Sequence, residues 1–195
     1  MAKDEIYTGR RRVIAFADLN HGAEIMIGKA ENDLEGNYYT IISSLLLTAF
    51  TFEAYLNHLG ESEYWDEDKG LVGVLDKYGT LCDAFGILPD YSRRPHQTLR
   101  ELFKFRNSIA HARSETLEET KSISSTDRRS AHSPRTEWEK YCNLEQAKRA
   151  KEDITKIIIK MNVAAGLGDR PFMHGATVAI SKLRKPPVKR AARKK

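Results

Sequence analysis

Apolar positions recur three and four residues apart along most of the chain, the spacing of helices that each bury one face. A first helix is predicted from about Arg11 to Asp33, with Val13, Ile14, Ala17, Leu19, Ile25 and Met26 inward and Gly22 and Gly28 weakening it. Gly36-Asn37 makes a turn, and a second helix runs from about Tyr38 to Leu59, stopped by Gly60. The acidic stretch ESEYWDEDKG separates it from a third helix over about Gly70 to Phe85, which ends at Gly86. Prolines make ILPDYSRRP a loop, and a fourth helix covers about His96 to Ala112. The segment from about 114 to 142 is rich in Ser, Thr and charge, and reads as a flexible insert or a lid. Asn143, with Gln146 three residues on, opens the last helix as a capping box, and Ile154, Ile157, Ile158 and Met161 carry it to Gly166. No run alternates as a strand should. The expected fold is therefore all-α, an antiparallel four- to five-helix bundle over residues 1–170 with a tail over 171–195.

Composition changes this picture mainly through charge. The formal net charge of +5 resides in KLRKPPVKRAARKK, whose cations are Lys182, Arg184, Lys185, Lys189, Arg190, Arg193, Lys194 and Lys195. Without them 24 basic residues face 27 acidic ones, so the body is mildly acidic. Two prolines and little apolar content predict a disordered tail. It could follow RNA phosphates through a salt-sensitive release of counterions, or be a solvated terminus only. The longest apolar run, around Leu45 to Leu56, is interrupted by polar residues, and the N-terminus lacks a hydrophobic leader core. Cys82 and Cys142 suggest no disulfide framework. No membrane contact is expected, and the cytoplasm is the default compartment.

Chemistry is scarce. There is no phosphate-binding glycine loop, no His/Cys cluster at zinc spacing and no nucleophile elbow, so no cofactor and no metal are expected. His21, His58, His96, His132 and His174 are scattered, and Asp66-Glu67-Asp68 reads as a solvated turn. What stands out is Arg106-Asn107-Ser108-Ile109-Ala110-His111, late in the fourth helix. A guanidinium holds phosphate in a planar fork, and an imidazole moves protons near neutral pH. Turned at 100° per residue, Leu99, Leu102, Phe103, Ile109 and Ala110 share a side with Arg106 near its middle, while Asn107 and His111 stack on one flank. The second helix has one charge in its apolar run, Glu53, on the face of Ile42, Leu46, Ala49 and Leu56. A lone base and a lone acid, each mid-stripe, predict a Glu53–Arg106 ion pair between helices. Alone, that pair would only fix register.

LLLTAFTFEAYLNHL followed by LRELFKFRNSIAHAR resembles the HEPN superfamily, all-α bundles with an Arg, a polar residue and then a His after four to six intervening positions. Arg106, Asn107 and His111 match that pattern with a gap of four. The resemblance implies a metal-independent endoribonuclease of toxin–antitoxin or phage-defence type, a homodimer with the site at the subunit seam, and an antitoxin-like nucleotidyltransferase as a further partner. It also admits members that have lost catalysis and only bind RNA, nucleotide or a protein. RNA cleavage without a metal uses the 2′-hydroxyl as nucleophile and leaves a 2′,3′-cyclic phosphate, so DNA would be inert. His111 would be acid or base, Arg106 the phosphate ligand, Asn107 the orienting group and Glu53 the support of Arg106. One imidazole cannot easily stand on both sides of an in-line transfer, which itself argues for two copies. Three readings thus stand side by side: a ribonuclease, a binding module, and a structural bundle with a chance hexad. An Arg106 wholly occupied by Glu53 could not also hold phosphate, and on that point the sequence leaves both alternatives open.

Overall fold

Small residues at heptad spacing set how the first two helices meet. The computed structural model describes residues 13–33, 35–60, 73–122, 124 and 133–173, and the backbone of residues 6–10 and 180–184. Helix α1 is Ala15–Asn32 and α2 is Asn37–Gly60. Phe16, Ala23 and Ala30 form the buried line of α1. A β-carbon on Gly22 would lie 3.4 Å from Leu47 Cδ1, so the glycine also lies at the α1–α2 contact. The expected inward set of α1 is therefore out of phase: Ile25 is exposed and Val13 precedes the helix, because close approach selected alanines over larger apolar residues.

The remaining helices are α3 (Val74–Phe85), α4 (His96–Ala110), the short α5 (Glu137–Tyr141) and α6 (Leu144–Ala164), followed by a 3-10 turn at Pro171–Met173. The helical body is an all-α bundle, as expected. Its centre is α2 against α6, each also packed on α1, α3 and α4. Leu45, Ala49, Phe52, Tyr55, Leu56, Leu99, Leu102, Ile154 and Ile158 are essentially solvent-free, so most of the hydrophobic gain is made there. Among the described residues α2 is long and apolar enough to cross a membrane, with a mean hydropathy of 1.3, and half of that stretch is buried within the bundle. The expectation that polar residues keep this run short of membrane-spanning length is corrected by the length and hydropathy of α2. The Thr48 and Thr51 hydroxyls donate to the Ser44 and Leu47 carbonyls at 2.8 Å each, so neither needs an outside partner.

Two polar contacts order the packing. Asp153, on α6 and 1% exposed, accepts two bonds from Arg94, Nε at 2.6 Å and Nη2 at 2.9 Å, and a third from Thr98 Oγ1 at 2.6 Å. The loop before α4 and the first turn of α4 are thereby fastened to α6. Burial disfavours the Asp153 charge, but the Arg94 and Thr98 bonds outweigh it and hold the carboxyl below the usual range. Tyr55 donates to Asn162 Oδ1 at 3.1 Å, and Asn162 Nδ2 donates to the Gly168 carbonyl at 2.9 Å. This ties α2 to the chain just past α6.

Three local features depart from the sequence reading. The polar segment is not wholly irregular: Thr136 and Glu139 form a reciprocal capping box that opens α5, and Phe105 on α4 stacks 5.2 Å from Tyr141. At α6 only half of the expected box forms. Asn143 Oδ1 accepts from Gln146 N at 2.9 Å, while Gln146 Oε1 is buried without a partner. Ile6–Arg10 (β1) and Ile180–Arg184 (β2) pair antiparallel, Ile6 opposite Arg184 and Arg10 opposite Ile180, as a unit separate from the helical one. That corrects the absence of strands and places Lys182 and Arg184 in a ribbon rather than a disordered tail. Five-residue runs are too short for alternation to declare itself, and pairing across the chain supplies the missing order. Lys185, Lys189, Arg190, Arg193, Lys194 and Lys195 lie outside the described residues.

Two predictions follow from the buried polar groups. Asp153→Ala should lower the unfolding free energy in urea by about 2 kcal/mol, since it leaves the buried Thr98 hydroxyl without its acceptor while Arg94 keeps Glu152; a change below about 1 kcal/mol would contradict the lock. His96 is 7% exposed, and its Nδ1 accepts from the Asp90 N–H at 3.2 Å. Burial, then the Lys160 cation, depresses its pKa against a smaller opposite pull from Asp90. The unfolded chain therefore binds the proton more readily. Stability should be full above the ordinary histidine value of 6.5 and be lost as pH falls through the lower folded value. Melting temperatures at pH 7.5 and 5.5 should differ more for wild type than for His96→Gln.

Candidate functional site

Helix α4 leaves the bundle as it ends. Leu99, Leu102, Phe103 and Phe105 are buried, whereas Asn107, Ser108, Ala110 and His111 are exposed. The apolar stripe thus stops at Phe105, and Arg106 is the first side chain beyond it. This corrects the expectation that Ala110 packs inward and that Arg106 sits mid-stripe. On α2 the core side is Phe52, Tyr55 and Leu56, so Glu53 lies on its shoulder, not on its centre.

The anticipated pair is formed. Arg106 Nη2 donates to Glu53 Oε2 at 2.7 Å, with the two side chains 25% and 30% exposed. Arg106 Nη1 donates to Asn107 Oδ1 at 3.0 Å, and the guanidinium carbon lies 5.9 Å from the centre of the Phe50 ring. A guanidinium has five N–H donors in one plane. Two are engaged here, and among the described residues the other three have no protein partner. The choice between a structural and a phosphate-holding Arg106 is therefore not exclusive.

Asn107 spends its carbonyl oxygen on Arg106 and keeps its amide N–H groups, on an exposed turn. Its backbone oxygen accepts the His111 N–H at 3.1 Å, closing the helix. His111 is the C-cap residue, exposed, and among the described residues its imidazole has no protein partner. Ser108 donates its hydroxyl to the Lys104 carbonyl at 2.8 Å and so has no proton left to donate to a phosphate. The hexad thus presents an oriented, half-buried guanidinium on the side facing α2, with the Asn107 amide and the His111 imidazole on the exposed side of the same helix end. Residues 112–122 continue from it as exposed irregular chain.

Other candidate chemistry recedes. Burial, with Glu139 adding, pushes the Cys142 thiol up to about 12, and burial raises the Cys82 thiol as well, so neither is a ready nucleophile. His96 is engaged in the core, His21 is exposed, and His58 packs 5.1 Å from Phe16. His132, His174 and Asp66-Glu67-Asp68 lie outside the described residues. Among the described residues no three His, Cys, Asp or Glu side chains converge as metal ligands. Sequence reasoning missed Phe50, although its place three residues before Glu53 puts both on one side of α2.

No protein-family model, curated protein or solved structure matches the chain. The site's own energetics are open to test. A pair this exposed exchanges water for protein contacts with little net gain. A double-mutant cycle with Glu53→Gln and Arg106→Gln should give a coupling of no more than about 1 kcal/mol in urea unfolding. A coupling of several kcal/mol would assign the pair to the core.

Proposed function

We propose that this chain is a metal-independent endoribonuclease of HEPN type, with Arg106, Asn107 and His111 as its site. The observation that carries the reading is the divided Arg106. Two of its N–H donors fix the half-buried guanidinium on Glu53 and Asn107, and three remain for a phosphate, at the helix end that exposes Asn107 and His111.

In the proposed reaction the RNA 2′-oxygen bonds to phosphorus while the bond to the departing 5′-oxygen breaks. A base takes the 2′ proton and an acid delivers one to the 5′-oxygen, leaving a 2′,3′-cyclic phosphate and a 5′-hydroxyl. Arg106 places two parallel N–H groups on the non-bridging oxygens, where charge accumulates in the transition state. Asn107 offers its amide N–H groups to the same phosphate. His111 serves on one side of the phosphorus. The opposite side needs a second proton carrier, which a second copy of the chain would supply in a two-fold dimer. Glu53 supports this by holding Arg106 in place, at the expense of net positive charge. The phosphate is then bound mainly by hydrogen-bond direction, with the basic tail supplying the long-range attraction. A nucleotidyltransferase partner and a role in toxin–antitoxin or phage-defence systems belong to the same proposal.

Wild type should cut mixed cellular RNA in excess EDTA, leave 2′,3′-cyclic ends and spare DNA. His111→Ala should lose at least a hundredfold in rate, the scale of one acid–base group, with its melting temperature unchanged. Equal cutting by both proteins would remove His111 from the chemistry. RNA binding without cutting by either would favour a non-catalytic module on the same bundle.

A further inference from the structure

Phe50 is a core type of residue in a place where it does not serve the core. It lies on α2, one turn before Glu53, and is 40% exposed while Ala49 and Phe52 beside it are solvent-free. Singly exposed apolar side chains are common and need no explanation. What singles out Phe50 is the Arg106 guanidinium over its ring, 5.9 Å from the centre. That guanidinium is held from the other directions by Glu53 and Asn107 and has N–H groups to spare. An open aromatic ring thus adjoins an oriented phosphate ligand.

This pairing of groups matches the two halves of a nucleotide. Single-stranded RNA is recognised by splaying its bases onto aromatic side chains while cations hold the backbone. We propose that Phe50 is the base-stacking platform of this site. A nucleobase of single-stranded RNA lies on the exposed part of the Phe50 ring while the adjoining phosphate takes the spare Arg106 N–H groups. The inference rests on the ribonuclease reading for the identity of the ligand and adds to it a strand state and a specificity rule. Duplex RNA keeps its bases stacked on one another and cannot reach the ring. A ring makes no hydrogen bonds to base edges, so selection is by stacking area, purines above pyrimidines, not by base identity. Phe50 here is a positioning and specificity residue, since the bonds that change are at the phosphate.

The test measures binding apart from cleavage. In the full-length His111→Ala protein in EDTA, a labelled single-stranded oligoadenylate should bind about tenfold more tightly than the same sugar–phosphate chain with abasic positions. Adding Phe50→Leu should erase that difference with little change in abasic binding, and adding Phe50→Trp should restore it. Equal binding of the two oligomers to the parent, failure of both to bind, or a base-dependence that survives Phe50→Leu would overturn the proposal. So would a Phe50→Leu protein whose sedimentation shows loss of self-association, because the ring would then belong to a contact between copies. The two readings fail separately. Phe50-dependent binding with no cleavage by wild type removes the nuclease and keeps the platform. Cleavage by wild type with Phe50-independent binding does the reverse.

Discussion

A single buried carboxylate, Asp153, decides where α4 begins and hence where its other end emerges. Three hydrogen bonds at 2.6–2.9 Å from Arg94 and Thr98 satisfy a charge that would otherwise be intolerable at 1% exposure. Because the bonds come from the loop and the first turn of α4, they fix that helix axially against α6. Leu99, Leu102, Phe103 and Phe105 then fall into the core, and the turn that follows has left it. Asn107, Ser108, Ala110 and His111 are exposed as a consequence of this register. Shifting α4 by one residue would turn Arg106 about 100° around the helix and away from Glu53.

The ion pairs at the two ends of α4, Arg94–Asp153 and Glu53–Arg106, do different work, and exposure decides which. Arg94–Asp153 is sealed on the acid's side and contributes to stability, since breaking it strands buried groups. Glu53–Arg106 is open on both sides, and water competes for each partner. Its effect is directional: it restricts a long, flexible side chain to one orientation and leaves three donors pointing elsewhere. Restricting Arg106 before a ligand arrives reduces the entropy lost on binding, which is how a weak surface pair can matter to a site.

How much of this was legible in the sequence depended on contrast. Glu53 and Arg106 stood out because each was the sole charge within an apolar pattern, and their pairing could be inferred. Asp153 did not, because it sits in LEQAKRAKEDITK beside Glu152, where charge is the rule. Yet Ala150 and Ile157 are helical neighbours of position 153, so the phase of α6 would have set it inward. Arg94 follows Arg93 in a loop without periodicity, and only the fold separates the exposed arginine from the engaged one. The degree of burial at Arg106 was misjudged for a related reason. Periodicity gives the direction in which a side chain points, but not where the neighbouring helix stops. In α1 the phase itself was misread, since the contact with α2 was built from Phe16, Ala23 and Ala30 and not from the largest side chains. The Thr136–Glu139 capping box was legible and lay in a segment whose composition suggested no structure.

The central claim is that Arg106 serves Glu53 and a phosphate at once, and side-chain nitrogen NMR of arginine reads it directly. On adding a non-cleavable 2′-deoxy dinucleotide, the Arg106 guanidinium signals should shift in a saturable way while the Glu53 carboxylate stays hydrogen-bonded to them. The Arg94 signals, held by two bonds to Asp153, should not move. Unchanged Arg106 signals at saturating ligand, or release of Glu53 as the ligand binds, would contradict the divided guanidinium.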